Sequence, residues 1–329
     1  MSILRHRNKC FLFLGILSLK FTYILFVYEY EVSVQVQNCD CNMKLSKKNV
    51  IVNDYRDTTC SETSWRRGKG QKVVSYSYYP SISRSMAKKR KYFEGILANA
   101  KSLHIYYPGW IMRVYYDLHD FHPQLKELCR IVCIYDHVDL CNIRHLPGKL
   151  ADESLRMFGM LWRFLPVIDP QVDLLLSRDL DSRFSNRELT AVQEWMNSDK
   201  ILHIMRDHPF HNVPILGGLW GANLTNKESR ILWEISWKNI LLDSGAWASR
   251  FSRGSDQVLL KKYVWDTWGW NYALQHDSYK CKRFANSKPW PVERLKGVNN
   301  FVGAISNLNK TLVRECPKEC RKYIEWKYC

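Results

Sequence analysis

Two aspartates one residue apart, Asp179 and Asp181, stand in the stretch LLLSRDLDSRFSNRE at residues 174–188. Carboxylates are hard oxygen ligands. A pair of them, with the bulky Leu180 between, can face one divalent cation, Mg²⁺ or Mn²⁺, of the kind that bridges to the phosphates of a substrate. An acid pair at this spacing is also an ordinary solvated turn. The preceding apolar run, residues 172–176, tips the balance, because it reads as a central strand buried on both faces. In open α/β sheets ligands bind just past the carboxyl ends of such strands. Arg178 and Arg183 flank the pair and can reach phosphate, or can form structural ion pairs. Gly217-Gly218, ahead of Trp220-Gly221, permits close backbone approach to a ligand, or a tight turn. Asp207 and His208 are candidate general bases for a transfer that inverts configuration. The pair His208 and His211 lacks a third ligand at matching spacing for a zinc site.

Positioning these groups calls for alternating strands and helices. The pattern predicts strands at 73–79, 110–116, 130–135, 172–176, 203–205 and 274–279. Helices are predicted at 86–104, 125–129, 152–165, 187–197 (capped by Asn186), 226–242 and 255–264. The segments RDHPFH and ILGGLWGAN read as loop and turn. Strands alternating with helices imply an α/β fold with a mainly parallel, doubly wound sheet. No linker interrupts residues 72–300, which read as one domain of catalytic size.

The surroundings of this domain are distinctive. Arg5, Arg7 and Lys9 precede an apolar stretch at 11–28, and Glu29 and Glu31 follow it. That arrangement reads as a cytoplasmic tail at 1–10 and a transmembrane signal-anchor at 11–28 with its N-terminus in the cytoplasm, a cleaved signal being the alternative. Residues 29–71 are polar and read as a stem, and 301–329 as a basic, Cys-rich tail. The chain of 329 residues carries a net charge of +17, and from Lys280 onward 12 Lys+Arg face 4 Asp+Glu. Such charge suits nucleic acid, an anionic membrane or a phosphorylated substrate; an anchor that sends the chain into the secretory lumen disfavours nucleic acid. Of 11 cysteines, Cys10 lies at the cytoplasmic edge and is a candidate for acylation. The other ten lie beyond the anchor and read as disulfides whose pairing the sequence leaves open. Asn223 and Asn309 begin glycosylation sequons, of which Asn309 is the favoured one.

A basic tail, an anchor, a stem and an α/β domain with Asp-x-Asp at a strand end resemble a Golgi type II membrane glycosyltransferase of the GT-A fold. The segments WRFLPVIDPQVDLLLSRDLDSR and HIMRDHPFHNVPILGGLWG are similar to a little-characterised glycosyltransferase-like group, over residues 72–300. A looser resemblance is to glycosyltransferase family 8, which carries Asp-x-Asp, then Asp-Gln at a helix start, then His, then Lys-Pro-Trp. Here these are Asp179 and Asp181, Asp256-Gln257, His276, and Lys288-Pro289-Trp290. The spacing from His276 to Lys288 is longer than in that family, and the intervening glycine is absent.

These resemblances imply metal-dependent transfer of a sugar from a nucleotide-sugar donor, a UDP-sugar by preference, to a glycan or glycoconjugate acceptor in the Golgi lumen. They imply Asp179, Asp181 and His276 as ligands of Mn²⁺ or Mg²⁺, with Asp277 able to replace His276. Lys288 falls near the diphosphate, and Asp256 near the donor sugar or the reacting carbon. Asp256-Gln257 is equally well read as a plain helix start, and His276 as a core histidine. The alternative function is a non-catalytic lumenal carbohydrate-binding protein on the same fold. A two-metal phosphoesterase would want more carboxylates than cluster here.

Overall fold

The computed structural model describes residues 29–48, 57–79, 86–245, 252, 254–294, 300–305 and 314–329. The expected cytoplasmic tail, signal-anchor and Cys10 lie outside the described residues, as does Asn309. No helix among the described residues is long and apolar enough to cross a membrane.

The central element is an eight-stranded, mainly parallel sheet flanked by helices. Its strands are β3 (Gln71–Tyr78), β4 (Ile111–Tyr116), β5 (Val138–Asn142), β6 (Val172–Arg178), β7 (Leu202–Arg206), β8 (Leu219–Asn223), β9 (Ala273–Asp277) and β10 (Ser287–Lys288), in the order β10-β9-β7-β8-β6-β3-β4-β5. Only β8 runs antiparallel to its neighbours, β6 and β7. The carboxyl ends of β3, β6, β7 and β9 and the start of β8 therefore share one edge. Alternation along the strands divides the core. Val74, Tyr76, Met112 and Val114 face one side, with α2 (Met86–Tyr106) and α3 (Pro123–Ile134). Val73, Tyr115 and Leu175 face the other, against the 3₁₀ segment Gly159–Ile168 and α6 (Lys227–Leu242). Burial on both faces explains the apolar runs within these strands, such as residues 174–176.

Several boundaries differ from expectation for identifiable reasons. Residues 130–135, expected as a strand, continue α3: Leu125, Leu128, Ile131 and Val132 are its buried stripe, at helical spacing. The strand of this unit is β5 instead. The LGGLWGAN segment, expected as loop, supplies β8 in mid-sheet. Gly221 is required there, because a Cβ would lie 2.9 Å from the Leu175 carbonyl oxygen. The helix expected at 152–165 is a short α4 (Leu150–Arg156) followed by the 3₁₀ segment, which contains Pro166. The helix after β6, α5 (Asn186–Met196), is capped by Ser185 rather than Asn186: Ser185 Oγ accepts from the Glu188 N–H at 3.2 Å. The last long helix begins as α7 (Ser255–Leu260) and widens into a π-helical run, Lys261–Gly269.

The segment expected as a stem carries structure of its own. A hairpin, β1 (Glu29–Gln35) and β2 (Asn42–Lys48), is followed by α1 (Glu62–Arg66). Cys39 and Cys41 in the hairpin bond to Cys129 and Cys133 of α3, and Cys60 bonds to Cys141 of β5. The buried carboxylate of Asp169 reinforces that attachment. It accepts from Thr58, Thr59 and Arg113, the last at 2.7 Å, at the edge of the sheet opposite the aspartate pair. In the tail, Cys281 bonds to Cys320 and Cys316 to Cys329. All ten cysteines expected to be oxidised are thus paired. Asn223 is half-buried, and its Oδ1 accepts from the Thr225 N–H and hydroxyl.

Candidate functional site

The turn after β6 is seated on α2. Gly95 lies so close beneath it that a Cβ would stand 2.0 Å from the Leu180 carbonyl oxygen, and Asn99 Nδ2 donates to the same oxygen at 3.3 Å. Leu180 is buried, so the two acids on either side are held by an anchored residue. Asp179 remains open, with its side chain 46% exposed. Asp181 is mostly buried, and burial and then the Asp179 charge push its carboxyl above the ordinary range. A buried carboxylate raised by its neighbour's charge is one that a cation would relieve.

Arg163 is the cation already present. It sits in the 3₁₀ segment, pairs through Nη1 with Asp179, and donates through Nη2 to Asp256 Oδ2 at 2.9 Å. Asp256, in the first turn of α7, is only 1% exposed. Burial raises its carboxyl, Arg163 opposes, and Asp179 adds to the rise. Its Oδ1 has no hydrogen-bond partner among the described residues. A buried carboxylate oxygen without a donor is costly, and a ligand hydroxyl is the kind of group that satisfies it. Gln257 beside it is half-buried, with its backbone N–H on the Gly254 carbonyl at 3.0 Å.

Gly217 and Gly218 belong to this cluster, but as the surface that the acids occupy rather than open backbone. A Cβ on Gly217 would lie 2.0 Å from Asp256 Oδ2, and one on Gly218 2.2 Å from Asp179 Oδ2. Side chains there would displace both carboxylates. Tyr79, at the end of β3, completes the wall, packed edge-on against Phe158 and Trp162. Burial pushes its phenol to about 12, the Arg163 charge opposing.

The other expected residues are engaged elsewhere. His276 is fully buried, and both ring nitrogens are committed: Nε2 lies 3.2 Å from Glu194 and Nδ1 3.0 Å from His203 Nε2. Burial holds the imidazole below its ordinary range. Lys288 reaches the same Glu194 at 3.4 Å. The order His then Lys therefore ends in a structural polar cluster. Among the described residues no group of three His, Cys, Asp or Glu could hold a metal ion, so a cation here would draw its remaining ligands from substrate and water.

Asp277 pairs with Arg206 at 2.6 Å, and Arg178 with Glu188 at 2.6 Å, all buried. Arg178 is thus not free to reach phosphate. Asp207, proposed as a base, is fully buried between Arg187 and Arg294 and also accepts from Ser278 and the Val302 N–H. Burial would raise its carboxyl, but the two guanidinium groups hold it well below the usual carboxylate range. His208 is partly exposed, packs at a tilt against Phe301 with ring centroids 4.4 Å apart, and accepts the Phe210 N–H at Nδ1.

Arg163, Tyr79 and Gly95 were not singled out from the sequence. Arg163 carried a usable signal: a lone charge inside the apolar run GMLWRFLPVI has to find a buried partner. No family model matches the sequence, and no curated protein matches it significantly.

Proposed function

We propose that this chain is a metal-dependent glycosyltransferase on a GT-A-like fold, transferring a sugar from a nucleotide-sugar donor to a glycan or glycoconjugate acceptor in the secretory pathway. One observation supports it most: two adjacent carboxylates past the end of a central parallel strand, joined through a buried arginine to a third carboxylate with an unpartnered oxygen. Asp179 and Asp181 are the residues that would hold Mn²⁺ or Mg²⁺. The ion, when bound, neutralises the diphosphate as it leaves. Arg163 adds a fixed positive charge beside the same group and holds Asp256 in place. Asp256 presents Oδ1 to a donor hydroxyl or to the reacting carbon. Tyr79 supplies an apolar wall with a protonated hydroxyl, a surface on which a nucleotide base can rest.

A secretory location accords with five disulfides, which persist in oxidising compartments. The commitment of Asp207, His276 and Lys288 to structural contacts favours a second reading, a carbohydrate-binding protein without turnover on the same fold. Calorimetry of UDP binding with and without Mn²⁺, followed by donor hydrolysis across a UDP-sugar panel, separates the two. Metal-dependent binding lost in Asp179→Asn and Asp181→Asn, with turnover in the wild type, is the expected result. Metal-independent binding, or binding unchanged in both variants, overturns the proposal. Binding without turnover selects the second reading.

A further inference from the structure

A cleft of about 550 Å³ opens between the loop joining β7 to β8, the π-helical run and residues 283–286. Trp265, Trp270 and Phe284 line it together with Asn212, Asn286 and Arg283. Trp270 is 49% exposed although it is a large aromatic, while Phe284 is buried, 6.0 Å from Trp265 and edge-on to it. None of the residues lining the cleft is acidic. Lys261, at the margin, is already matched by Asp266 at 2.6 Å.

The cleft is built on buried supports. The Arg206 guanidinium lies 4.0 Å from the Phe284 ring centroid, donates to the Pro214 carbonyl, and is itself fixed by Asp277 and by Gln275 at 2.6 Å each. Gln275 Nε2 also donates to the Ala285 carbonyl at 3.3 Å, and Ser287 Oγ to that of Phe284 at 2.7 Å. Asn286 lines the cleft at φ +65°, a left-handed conformation that Asn tolerates better than most residues. A π-helical stretch is uncommon and tends to mark a functional site.

We propose that this cleft binds an oligosaccharide. A sugar ring has an apolar C–H face and a rim of hydroxyls. An exposed indole flanked by amides and a guanidinium offers the complement to both, whereas an apolar pocket would leave the hydroxyls without partners. The same two segments that wall the cleft carry Gly217 and Asp256: Pro214 precedes Gly217 by three residues, and Lys261 follows Asp256 by five, about 7.5 Å of helix. The cleft thus shares two segments with the aspartate cluster, yet the recognition chemistry belongs to the cleft alone and stands whether or not transfer occurs.

The test is binding of the full-length protein to an array of neutral, uronic-acid and sulfated oligosaccharides, followed by titration of the best of them. Trp270→Ala removes a half-exposed ring, and it is expected to melt like the wild type and to bind about tenfold more weakly or worse. Asn286→Gly keeps the left-handed backbone and removes the amide, for a loss of about three- to tenfold. Asp179→Asn should bind the saccharide as the wild type does. The proposal is overturned if no saccharide is bound, or if both cleft variants bind normally. It is also overturned if binding is lost in Asp179→Asn alone, which would place the sugar at the aspartates and leave the transferase reading intact. Saccharide binding with no turnover of any donor retires that reading and leaves the cleft.

Discussion

Asp207 was a natural choice for a general base, and its surroundings argue that it is a clamp. It collects Arg187 from α5, Arg294 and Val302 from the segment after β10, and Ser278 after β9. Asp207→Asn leaves two buried guanidinium groups without their shared carboxylate. Breaking a buried pair by removing one partner costs about 3–5 kcal/mol, far above the value of an exposed pair. In a domain of this size each kcal/mol moves the melting point by roughly 2–4 °C, so a drop on the order of 10 °C is expected. The pH dependence has a definite sign. The folded carboxyl is held below its unfolded value of about 3.9, so its stabilisation is present above that pH and is lost as pH falls through the folded value. The gap between wild type and variant should therefore stay constant from about pH 5 to 8 and narrow in acid, where the wild-type group is itself protonated. Thermal melting followed by circular dichroism at several pH values, with disulfides intact, measures this. A variant that melts within about 2 °C of the wild type, but has lost transfer, would refute the clamp and return Asp207 to the role of base.

Three further perturbations probe other parts of the molecule. Arg163→Met removes the partner of Asp256, and because Asp256 is 1% exposed while Asp179 is half open, the Asp256 contact dominates. Neutralising the orphaned Asp256 at pH 7 caps the loss at about 4 kcal/mol, so Arg163→Met with Asp256→Asn should be more stable in urea than Arg163→Met alone. Gly95→Ala forces a Cβ against the Leu180 carbonyl and should cost about 1–3 kcal/mol in urea unfolding while weakening Mn²⁺-dependent UDP binding more than any exposed α2 substitution does. Reduction should release the hairpin first: each of Cys39–Cys129 and Cys41–Cys133 closes a loop of about ninety residues, worth about 4–5 kcal/mol, and loss of the pair should expose 29–48 to protease while the sheet keeps its circular dichroism.

The parallel strands β3, β4, β6, β7 and β9 were legible because burial on both faces writes apolar runs into them, as in residues 174–176. The short β5 and β10 were missed, and two further kinds of element were misread. β8 is a strand made of Leu, Trp, Gly, Ala and Asn, and its glycine reports on a neighbour's backbone rather than on a turn. The end of α3 is rich in Ile and Val, which favour strands locally, and packing against the sheet overrides that preference. The better signal was Cys129 and Cys133, four apart, which places both sulfurs on one helical face toward Cys39 and Cys41.

The candidate site was legible where chemistry depends on neighbours in sequence and obscure where it depends on neighbours in space. Asp179 and Asp181 stand out because they lie one residue apart in a short turn after a buried strand. Asp207, His276, Lys288 and Arg178 have the same residue types as a site, but a sheet with buried edges needs such types for another reason. Each strand end brings backbone and side-chain polar groups out of water, and a buried charge persists there only when matched. Arg178 with Glu188, Arg206 with Asp277, and Arg187 and Arg294 with Asp207 are that matching, repeated from β6 to β9 along one edge. What separates Arg163 from them is that one of its two carboxylates, Asp179, faces solvent, and the other, Asp256, has an oxygen left over. Arg178 and Arg294 each leave one guanidinium nitrogen without a partner as well, but the carboxylates they pair with are buried. A carboxylate open to solvent, joined to one with a spare oxygen, is the arrangement the proposed donor site needs, whereas pairs buried on both sides hold the sheet together.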